Sequence, residues 1–519
     1  MTASKLQDSD VMEFETDRYF AKYRRTKSRD VGEIVIVSKS AGRHRATHNS
    51  YNVIDSDGRV LETRQIDFVA AKMIFGQFQS YGETEAFNVP IERFQSFNSV
   101  SNKVPKRAKE IRPESIIHKT TTKEKSYTAT GDKLDYHWPV FKKYKDTGFG
   151  SIIRATLTNH QVCSSACQYC STIARNKKDS ISLAEAQKFV QTLYFDQAEF
   201  NKNNFAKYND QYRELTGTDI RLRGLILSGG GQPNLWPYFS DFVDWLSDFD
   251  IDLGLITNGF PKHVPEETYS KFDWVRISIT PDDASPFYPS GRFDKQYIPT
   301  TLINAPSVTV GYSYVHGPWT KQSVFDRISQ AIDDNGFDYA RLLTDCNLTR
   351  NSQLLAHENL ANILKEKGLV DDKGEPTGKL FHQLKYHGTE TEADSLWSDG
   401  QCFLQTYNVF WDTTGHEENG YSYCYPCDSV TVLAEEQTDE SINVSERRFV
   451  PSKWGTYKNT EVENLFKGRV RPFFDPREIC SSCLFMKNNA RVKSLVDKEI
   501  DSAALSSENR EQIVHINFP

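Results

Sequence analysis

This chain of 519 residues lacks the features that would place it in a membrane or outside the cell. No apolar run approaches the roughly 18 residues that a membrane-spanning helix needs, which excludes a spanning protein. The N-terminal stretch MTASKLQDSDVMEFETDRYF has no basic start followed by an apolar segment, so it is not typical of a secretory signal. We therefore expect a cytoplasmic protein with no membrane partner.

The chain also lacks a strong excess of either charge. Its 63 basic and 70 acidic side chains give a net charge of -7, which by itself identifies no partner. Between Lys103 and Lys145, basic residues clearly outnumber acidic ones. This stretch is either a solvated linker or an electropositive arm for phosphates or an acidic partner. No repeat or long low-complexity tract is present, and an aromatic content of 12% argues against long disorder.

The nine cysteines carry most of the functional information. Eight of them form a C-x3-C-x2-C triplet, two C-x2-C pairs and one flanking cysteine, and only Cys346 has no partner in sequence, so we expect a buried thiol there. A disulfide framework is not expected, because the compartment is reducing and the chain is long enough to need no cross-links. Close pairs in such a setting usually hold a metal or an iron–sulfur cluster.

The triplet consists of Cys163, Cys167 and Cys170. Three thiolates at this spacing can surround one face of a four-iron cubane and leave the fourth iron open to a small molecule. Zinc is the alternative, but a structural zinc site needs four ligands, and no cysteine or histidine follows Cys170 at a suitable distance. His160 lies upstream of the triplet, which is not a common zinc pattern.

The triplet, with Tyr169 before its third cysteine, resembles the signature of the radical S-adenosylmethionine (SAM) superfamily. Further segments resemble that family in the expected order. The apolar run 225–228 ends in a glycine-rich turn, which in the family holds the amino group of SAM. The segment 275–279 is similar to the family's Arg-x-Ser strand, whose polar residue reaches the ribose or carboxylate of SAM. The candidate cofactor-binding residues are Tyr169, Gly229, Gly230, Gly231, Gln232, Asn258, Arg276 and Ser278.

The resemblance covers residues 148–345 and implies an α/β fold, a partial (β/α)6 TIM-like barrel. Predicted strands at 152–157, 225–228, 253–257, 275–279, 308–315 and 340–344 alternate with helical segments, which is typical of parallel sheets. Sites in such barrels gather at the C-terminal ends of the strands, where the candidate residues fall. Gln232 stands where the family often has an acidic residue, so its role stays open.

The family's chemistry is implied in the same way. A [4Fe–4S] cluster on the triplet would receive an electron from a flavodoxin-like or ferredoxin-like donor and cleave SAM to methionine and a 5′-deoxyadenosyl radical. That radical abstracts hydrogen from a substrate, while the protein orients the reactants. No general acid or base can be assigned, and the reaction is not resolved between oxidoreductase and transferase or isomerase types.

The C-terminal third, residues 346–519, is predicted to be a loop-rich domain with a second metal cluster. The run from Cys402 to Trp411, together with the later cysteine pairs, resembles a SPASM or twitch domain, which adds auxiliary [4Fe–4S] clusters to radical SAM barrels. A full SPASM domain has more cysteines, so we expect one auxiliary cluster rather than two. The ligand candidates are Cys402, Cys424, Cys427, Cys480 and Cys483. A zinc site built from the two C-x2-C pairs remains the alternative.

Residues 1–102 are predicted to form a mixed α+β or β-rich appendage, and residues 103–147 a basic connector. The leading functional hypothesis is a radical SAM enzyme that modifies a peptide or protein side chain, since SPASM-like domains mostly accompany such substrates. The second is an enzyme that modifies a nucleotide or nucleic-acid base, with the stretch 103–145 contacting phosphates. The third is an iron–sulfur binding protein without catalysis.

Overall fold

A computed structural model describes the chain in two compact units. The first contains residues 1–112, 284–287 and 318–320, and the second contains 113–283, 288–317 and 321–519. Within these units the described residues are 11–15, 19–25, 32–38, 42–47, 50–54, 60–64, 127, 131–165, 167, 170, 176–279, 297–316, 320, 323–345, 350–372, 376–383, 401–427, 457–469, 485–497 and 514–519.

The first unit contains a six-stranded antiparallel sheet in which every strand pairs with the next one along the chain. Its strands are β1 Val11–Glu15, β2 Tyr19–Arg25, β3 Gly32–Ser38, β4 Gly42–Thr47, β5 Ser50–Ile54 and β6 Val60–Arg64. This order needs only short connections, because antiparallel neighbours can be joined by tight turns. These six strands lie within residues 1–102, for which the sequence predicts a mixed α+β or β-rich appendage.

The second unit is organised around a ten-stranded sheet of order β13-β12-β11-β10-β9-β8-β7-β14-β15-β16. All neighbours from β13 to β14 are parallel, and only the last two pairings are antiparallel. The α/β class with a largely parallel sheet is therefore confirmed. The strands are β7 Arg154–Leu157, β8 Gly224–Leu227, β9 Asp252–Thr257, β10 Trp274–Ile279, β11 Thr309–His316, β12 Tyr339–Thr344, β13 Leu380–Gln383, β14 Asn408–Asp412, β15 Tyr423–Tyr425 and β16 Tyr457–Lys458.

Helices connect the parallel strands, because a parallel pair needs a long crossover. The α-helices are α1 Trp138–Thr147, α2 Leu183–Gln191, α3 Gln197–Asn204, α4 Ala206–Thr216, α5 Phe239–Leu246, α6 Glu266–Tyr269, α7 Ser323–Asn335, α8 Arg350–Glu366, α9 His416–Asn419, α10 Asn464–Lys467 and α11 Met486–Asp497. Helix α2 begins at a capping box between Ser182 and Glu185 and continues into α3 through a π-helical turn at Thr192–Asp196. None of the described helices is both long and apolar enough to cross a membrane.

One face of the large sheet packs against these helices. Leu225 and Leu227 of β8 share an apolar core with Phe242 and Val243 of α5 and with residues of the neighbouring strands. Because side chains alternate along a strand, Ile226 and Trp274 belong to the opposite face. They form a separate small cluster there with Phe518.

The segment 514–519 covers the N-terminal ends of the strands on that opposite face. The Phe518 ring packs edge-on against Trp274, with ring centroids 5.4 Å apart. The Asn517 amide donates to Asp252 Oδ2 at 2.8 Å, and the Arg154 guanidinium donates to the carbonyl oxygen of Pro519. The two edges of the sheet therefore differ: this segment closes the N-terminal edge, while the cysteine triplet follows β7 at the C-terminal edge.

Asp252 makes this closed edge sensitive to pH. Burial, and then the nearby Asp273, raise its pKa from 3.8 to about 6. The protonated carboxyl therefore stabilises the fold below about pH 4, and that contribution is lost as the pH rises through 6. We expect the unfolding free energy of Asp252→Asn, relative to the natural chain, to rise by about 3 kcal/mol between pH 4 and 6 and to stay level above. Urea titrations across this range measure it; the same change at the exposed Asp248 is the control, and a pH-independent difference would exclude this role.

The described part of the predicted basic connector is folded into the second unit. Residues 131–137 form a 3₁₀ turn that leads into α1. Lys133 and Lys143 are fully buried. The Lys143 ammonium donates to the carbonyl oxygen of Gly150 at 2.8 Å and to Asn201 Oδ1 at 2.7 Å. These two lysines therefore serve the interior of the protein and do not face a solvent-exposed partner.

Candidate functional site

The cysteine loop, residues 158–170, begins where β7 ends. The side chains of Cys163, Cys167 and Cys170 are all half-buried. The N–H of Cys170 donates to the carbonyl oxygen of Cys167 at 3.0 Å. Tyr169 lies outside the described residues.

The start of this loop is bound to the segment that follows β8. His160 Nε2 donates to the carbonyl oxygen of Gln232 at 2.7 Å, and the N–H of Gln232 donates to the carbonyl oxygen of Val162 at 2.7 Å. Burial lowers the pKa of His160, which keeps the ring neutral. The Nε2–H of this histidine is thus occupied by a main-chain contact.

The glycine turn, Gly229–Gly231, packs directly against the cysteine loop. Gly229 has φ +118°, a conformation that side chains rarely adopt. A Cβ atom at Gly229 would overlap Thr158 Oγ1, and one at Gly230 would overlap Gln161 Oε1. The three glycines are therefore required by the close approach of the cysteine loop, whatever else they bind.

Gln232 connects the cysteine loop to the turn after β9. Its Oε1 accepts from the Ser164 hydroxyl at 2.7 Å, and its Nε2 donates to the carbonyl oxygen of Gly259 at 3.0 Å. The side chain is buried. These bonds give Gln232 a positioning role in the site, which its sequence position alone did not assign.

Asn258 contacts the triplet directly. Its Nδ2 donates to Cys163 Sγ at 3.3 Å and to Ser165 Oγ at 2.9 Å. The N–H of Ser165 also points to the same sulfur, at 3.5 Å. The adjacent strands β7, β8 and β9 thus bring the cysteine loop, the glycine turn and Asn258 together at one edge of the sheet.

Ser278 and Arg276 lie two residues apart on β10 and project to the same face of the sheet. Ser278 is half-buried near the C-terminal end of the strand. The Arg276 guanidinium instead reaches residues at the N-terminal edge, where it donates to the Tyr339 hydroxyl at 3.0 Å and to the carbonyl oxygen of Tyr127 at 3.0 Å. A cofactor contact from Arg276 stays a prediction.

In the described ranges, no group of three or more His, Cys, Asp or Glu side chains is arranged to hold a metal ion. What these ranges do provide at the triplet is three half-buried thiols and hydrogen-bond donors aimed at one of them. Thiolates are the ligands that iron–sulfur clusters require, and donors to sulfur are a usual part of such sites. The donor set therefore fits a cluster.

The three described C-terminal cysteines, Cys402, Cys424 and Cys427, are more deeply buried than the triplet. Cys402 and Cys427 belong to one apolar cluster, which also contains Phe403 and Val492. Cys424 is completely buried in the main core of the sheet, and burial raises the pKa of its thiol. Cys480, Cys483 and Cys346 lie outside the described residues.

Sequence reasoning missed a polar connection between the cysteine loop and the segment after β14. Gln161 Nε2 donates to Asp412 Oδ1 at 2.8 Å, and burial raises the pKa of this aspartate. The carboxylate of Asp179 accepts from the N–H groups of Gly415 and Glu417 at 2.9 and 3.0 Å. These residues belong to no motif and meet only because β14 pairs with β7, so the sequence carried no signal for them.

Comparisons with known proteins give structural neighbours only. No family model matches the chain, and no curated protein matches it. Streptococcus suis SuiB bound to S-adenosylmethionine is similar at 13% identity and a TM-score of 0.39, over 82% of this chain and 87% of that one. SuiB bound to precursor peptide SuiA is similar at 11% identity and a TM-score of 0.41, over 92% and 94%. BtrN in complex with AdoMet and 2-DOIA is similar at 12% identity and a TM-score of 0.28, over 70% and 97%. These scores are too low to support a conclusion, so function is argued from the chain's own residues.

Proposed function

We propose that this chain is a radical SAM enzyme that holds a [4Fe–4S] cluster on Cys163, Cys167 and Cys170. The observation that carries the proposal is the convergence of three elements at the C-terminal edge of adjacent parallel strands. The cysteine loop follows β7, the glycine turn follows β8, and Asn258 follows β9 and touches Cys163. Sites of parallel α/β sheets lie at this edge.

When bound, the cluster would supply the electron that cleaves SAM and so starts hydrogen abstraction from the substrate. The chain's own residues position and enclose that site. Gln232 links the cysteine loop to the turn after β9 by hydrogen bonds, and Gln161 links the same loop to Asp412 by another. These hydrogen bonds favour a single orientation of the reactants, which radical chemistry requires to avoid side reactions.

Two unused acceptors beside the glycine turn support SAM as the cofactor. Thr158 Oγ1 and Gln161 Oε1 are buried and have no hydrogen-bond partner. They lie against Gly229 and Gly230, the turn that the resemblance assigns to the amino group of SAM. Acceptors at this position match the chemistry of an ammonium group, which only donates.

We further propose that β7–β12 form the partial (β/α)6 barrel of the family. Each of these strands pairs with the next one along the chain, and their helices contribute to one shared core. Such a singly wound order is that of a sheet that curls on itself. The domain limits at 102, 147 and 345 stay predictions.

For the substrate we propose a peptide or protein side chain. This rests on the resemblance of the C-terminal region to SPASM or twitch domains. The packing of Cys402 and Cys427 in the same apolar cluster supports that resemblance. The alternative, a nucleic-acid base, depends on the basic stretch 103–145. Within the described part of that stretch, Lys133 and Lys143 are buried and cannot reach phosphates, whereas Lys142 is half-buried and Lys145 is exposed.

For the auxiliary site we propose Cys402, Cys427, Cys480 and Cys483 as ligands, holding a [4Fe–4S] cluster, with zinc as the alternative. Cys427 is preferred to Cys424 because it shares an apolar cluster with Cys402. Cys424 instead pairs with Trp411 across β14 and β15 and belongs to the main core.

Cysteine-to-alanine variants distinguish these two thiols. We expect Cys427→Ala to lose about four irons per chain, or one zinc, because a four-ligand site loses a ligand. The Cys424→Ala variant should keep the metal of the auxiliary site. Its unfolding free energy should fall by about 1 kcal/mol or more, since the change removes one buried sulfur from a packed core. Metal analysis and urea denaturation measure both. Metal loss in Cys424→Ala alone would reverse the assignment.

The proposed activity is tested with anaerobically reconstituted protein, SAM and a strong reductant such as dithionite. We expect formation of 5′-deoxyadenosine and methionine that depends on the reductant. Protein with a full complement of iron and sulfide that produces neither compound would support the non-catalytic alternative and reject the enzyme. Candidate peptides are then added, and those that accelerate deoxyadenosine formation and gain a change in mass are substrates.

A further inference from the structure

Asn258 is held in place from both sides by the turn that follows β9. The Thr257 hydroxyl donates to the carbonyl oxygen of Gly259 at 2.7 Å and lies 3.2 Å from Asn234 Oδ1. The same carbonyl accepts from Asn234 Nδ2 at 2.9 Å. The backbone around Asn258 is therefore tightly fixed, so the direction of its side chain is set by the fold.

The amide of Asn258 uses its two N–H bonds within the cysteine loop. Nδ2 lies 3.3 Å from Cys163 Sγ and 2.9 Å from Ser165 Oγ. The second bond fixes the amide so that the first is directed at the sulfur. Cys163 also receives the N–H of Ser165 at 3.5 Å, so two donors from two different elements meet at one thiol.

A donor aimed at a ligand sulfur has a known electrostatic effect. Reduction adds negative charge to an iron–sulfur cluster, and hydrogen bonds to its sulfurs stabilise the reduced form and raise the reduction potential. A half-buried position strengthens such a bond compared with water. The amide is therefore placed to act on the cluster's redox equilibrium through Cys163.

We propose that Asn258 is a positioning residue that raises the reduction potential of the cluster held by Cys163, and that it does not bind SAM as its sequence position suggested. This inference rests on the proposed function, because it requires a cluster on the triplet. It extends that function by naming a residue of the chain that controls how readily the cluster accepts an electron. Ser165 has a supporting role, because it orients the amide.

The test is an anaerobic redox titration of the reconstituted full chain, followed by electron paramagnetic resonance. The triplet cluster is identified as the signal that is missing when Cys163, Cys167 and Cys170 are replaced by alanine. In Asn258→Leu, which keeps the size and removes the donor, we expect the ratio of reduced to oxidised cluster at a fixed potential to fall about tenfold, a shift of about 59 mV for one electron.

Two further variants make the result specific. Asn258→Asp replaces the donor by an acceptor and should shift the potential at least as far in the same direction. Ser165→Ala keeps the Asn258 amide but removes the hydrogen bond that orients it. This variant should therefore shift the potential less than Asn258→Leu does. The KM for SAM should stay within about twofold in Asn258→Leu, because uniform binding of SAM is unaffected.

An unchanged potential together with a raised KM for SAM would overturn the inference and make Asn258 a SAM-binding residue. An unchanged potential with an unchanged KM would overturn it as well, leaving Asn258 a structural residue only. Failure of the proposed function looks different. The natural chain would then show no signal that is missing from the triple alanine variant, or it would hold the triplet cluster and form no deoxyadenosine.

Discussion

Replacing Cys163, Cys167 and Cys170 together by alanine is expected to remove one whole cluster and all cleavage of SAM. Iron should fall from about eight to about four atoms per chain if the C-terminal site holds a cluster, or from about four to none if it holds zinc. Either result follows because three thiolates are the only protein ligands proposed for this cluster. Iron and labile sulfide analysis, with deoxyadenosine measured in parallel, tests it.

The control is Cys346→Ala, which removes the cysteine without a partner in sequence and should leave iron and cleavage unchanged. The iron that remains in the triple variant also shows whether the C-terminal site holds an iron–sulfur cluster or zinc. A remainder of about four irons would make the C-terminal region a redox partner and favour peptide substrates. No remaining iron, with zinc present, would make that region a structural cap and place nucleotide substrates on an equal footing. Persistent cleavage in the triple variant would refute the radical SAM assignment.

The second large effect is expected at Gly229. Alanine there combines a backbone conformation that favours glycine, φ +118°, with an overlap between its Cβ and Thr158 Oγ1. Backbone strain and overpacking each cost about 1–3 kcal/mol, so we expect a loss of about 4 kcal/mol in unfolding free energy. The glycine turn should also shift away from the cysteine loop, which would lower SAM cleavage more than iron content.

Two comparisons separate these causes. Gly217, which ends α4, has φ +80°, and a Cβ atom added there would meet no other atom within 4 Å, so Gly217→Ala should cost only about 1 kcal/mol. Combining Gly229→Ala with Thr158→Ala removes two of the overlapping atoms, Oγ1 and Cγ2, and leaves the Thr158 Cβ, 2.6 Å from the added one. The double variant should therefore recover part of the loss, since Thr158 Oγ1 has no hydrogen bond to lose. Equal losses for Gly217→Ala and Gly229→Ala in urea denaturation would show that the overlap is unimportant.

Much of this molecule could be predicted from local patterns. Short apolar runs bounded by glycine and polar residues located β7–β12 to within two residues, because hydrophobic periodicity and turn chemistry are local properties. The spacing of Cys163, Cys167 and Cys170 indicated a cluster for the same reason, since these three residues lie close together along the chain. The glycine turn was also recognisable, although its packing against Thr158 and Gln161 was not.

The contacts that distinguish one residue from another were decided by tertiary structure. β14 joins the sheet beside β7, from more than 240 residues further along the chain, and only this pairing brings Asp412 to Gln161. Cys424 and Cys427 are alike in sequence, and only the packing separates them into two cores.

The chain itself therefore determined which chemical groups are present, and in what order along the strands, because spacing and periodicity act over a few residues. Their partners depend on which distant segments the folded sheet brings together. Lys143 is part of a basic stretch in the sequence but a buried donor in the fold. Asn258 follows a strand in the sequence, and only the pairing of β7, β8 and β9 places its amide against the sulfur of Cys163.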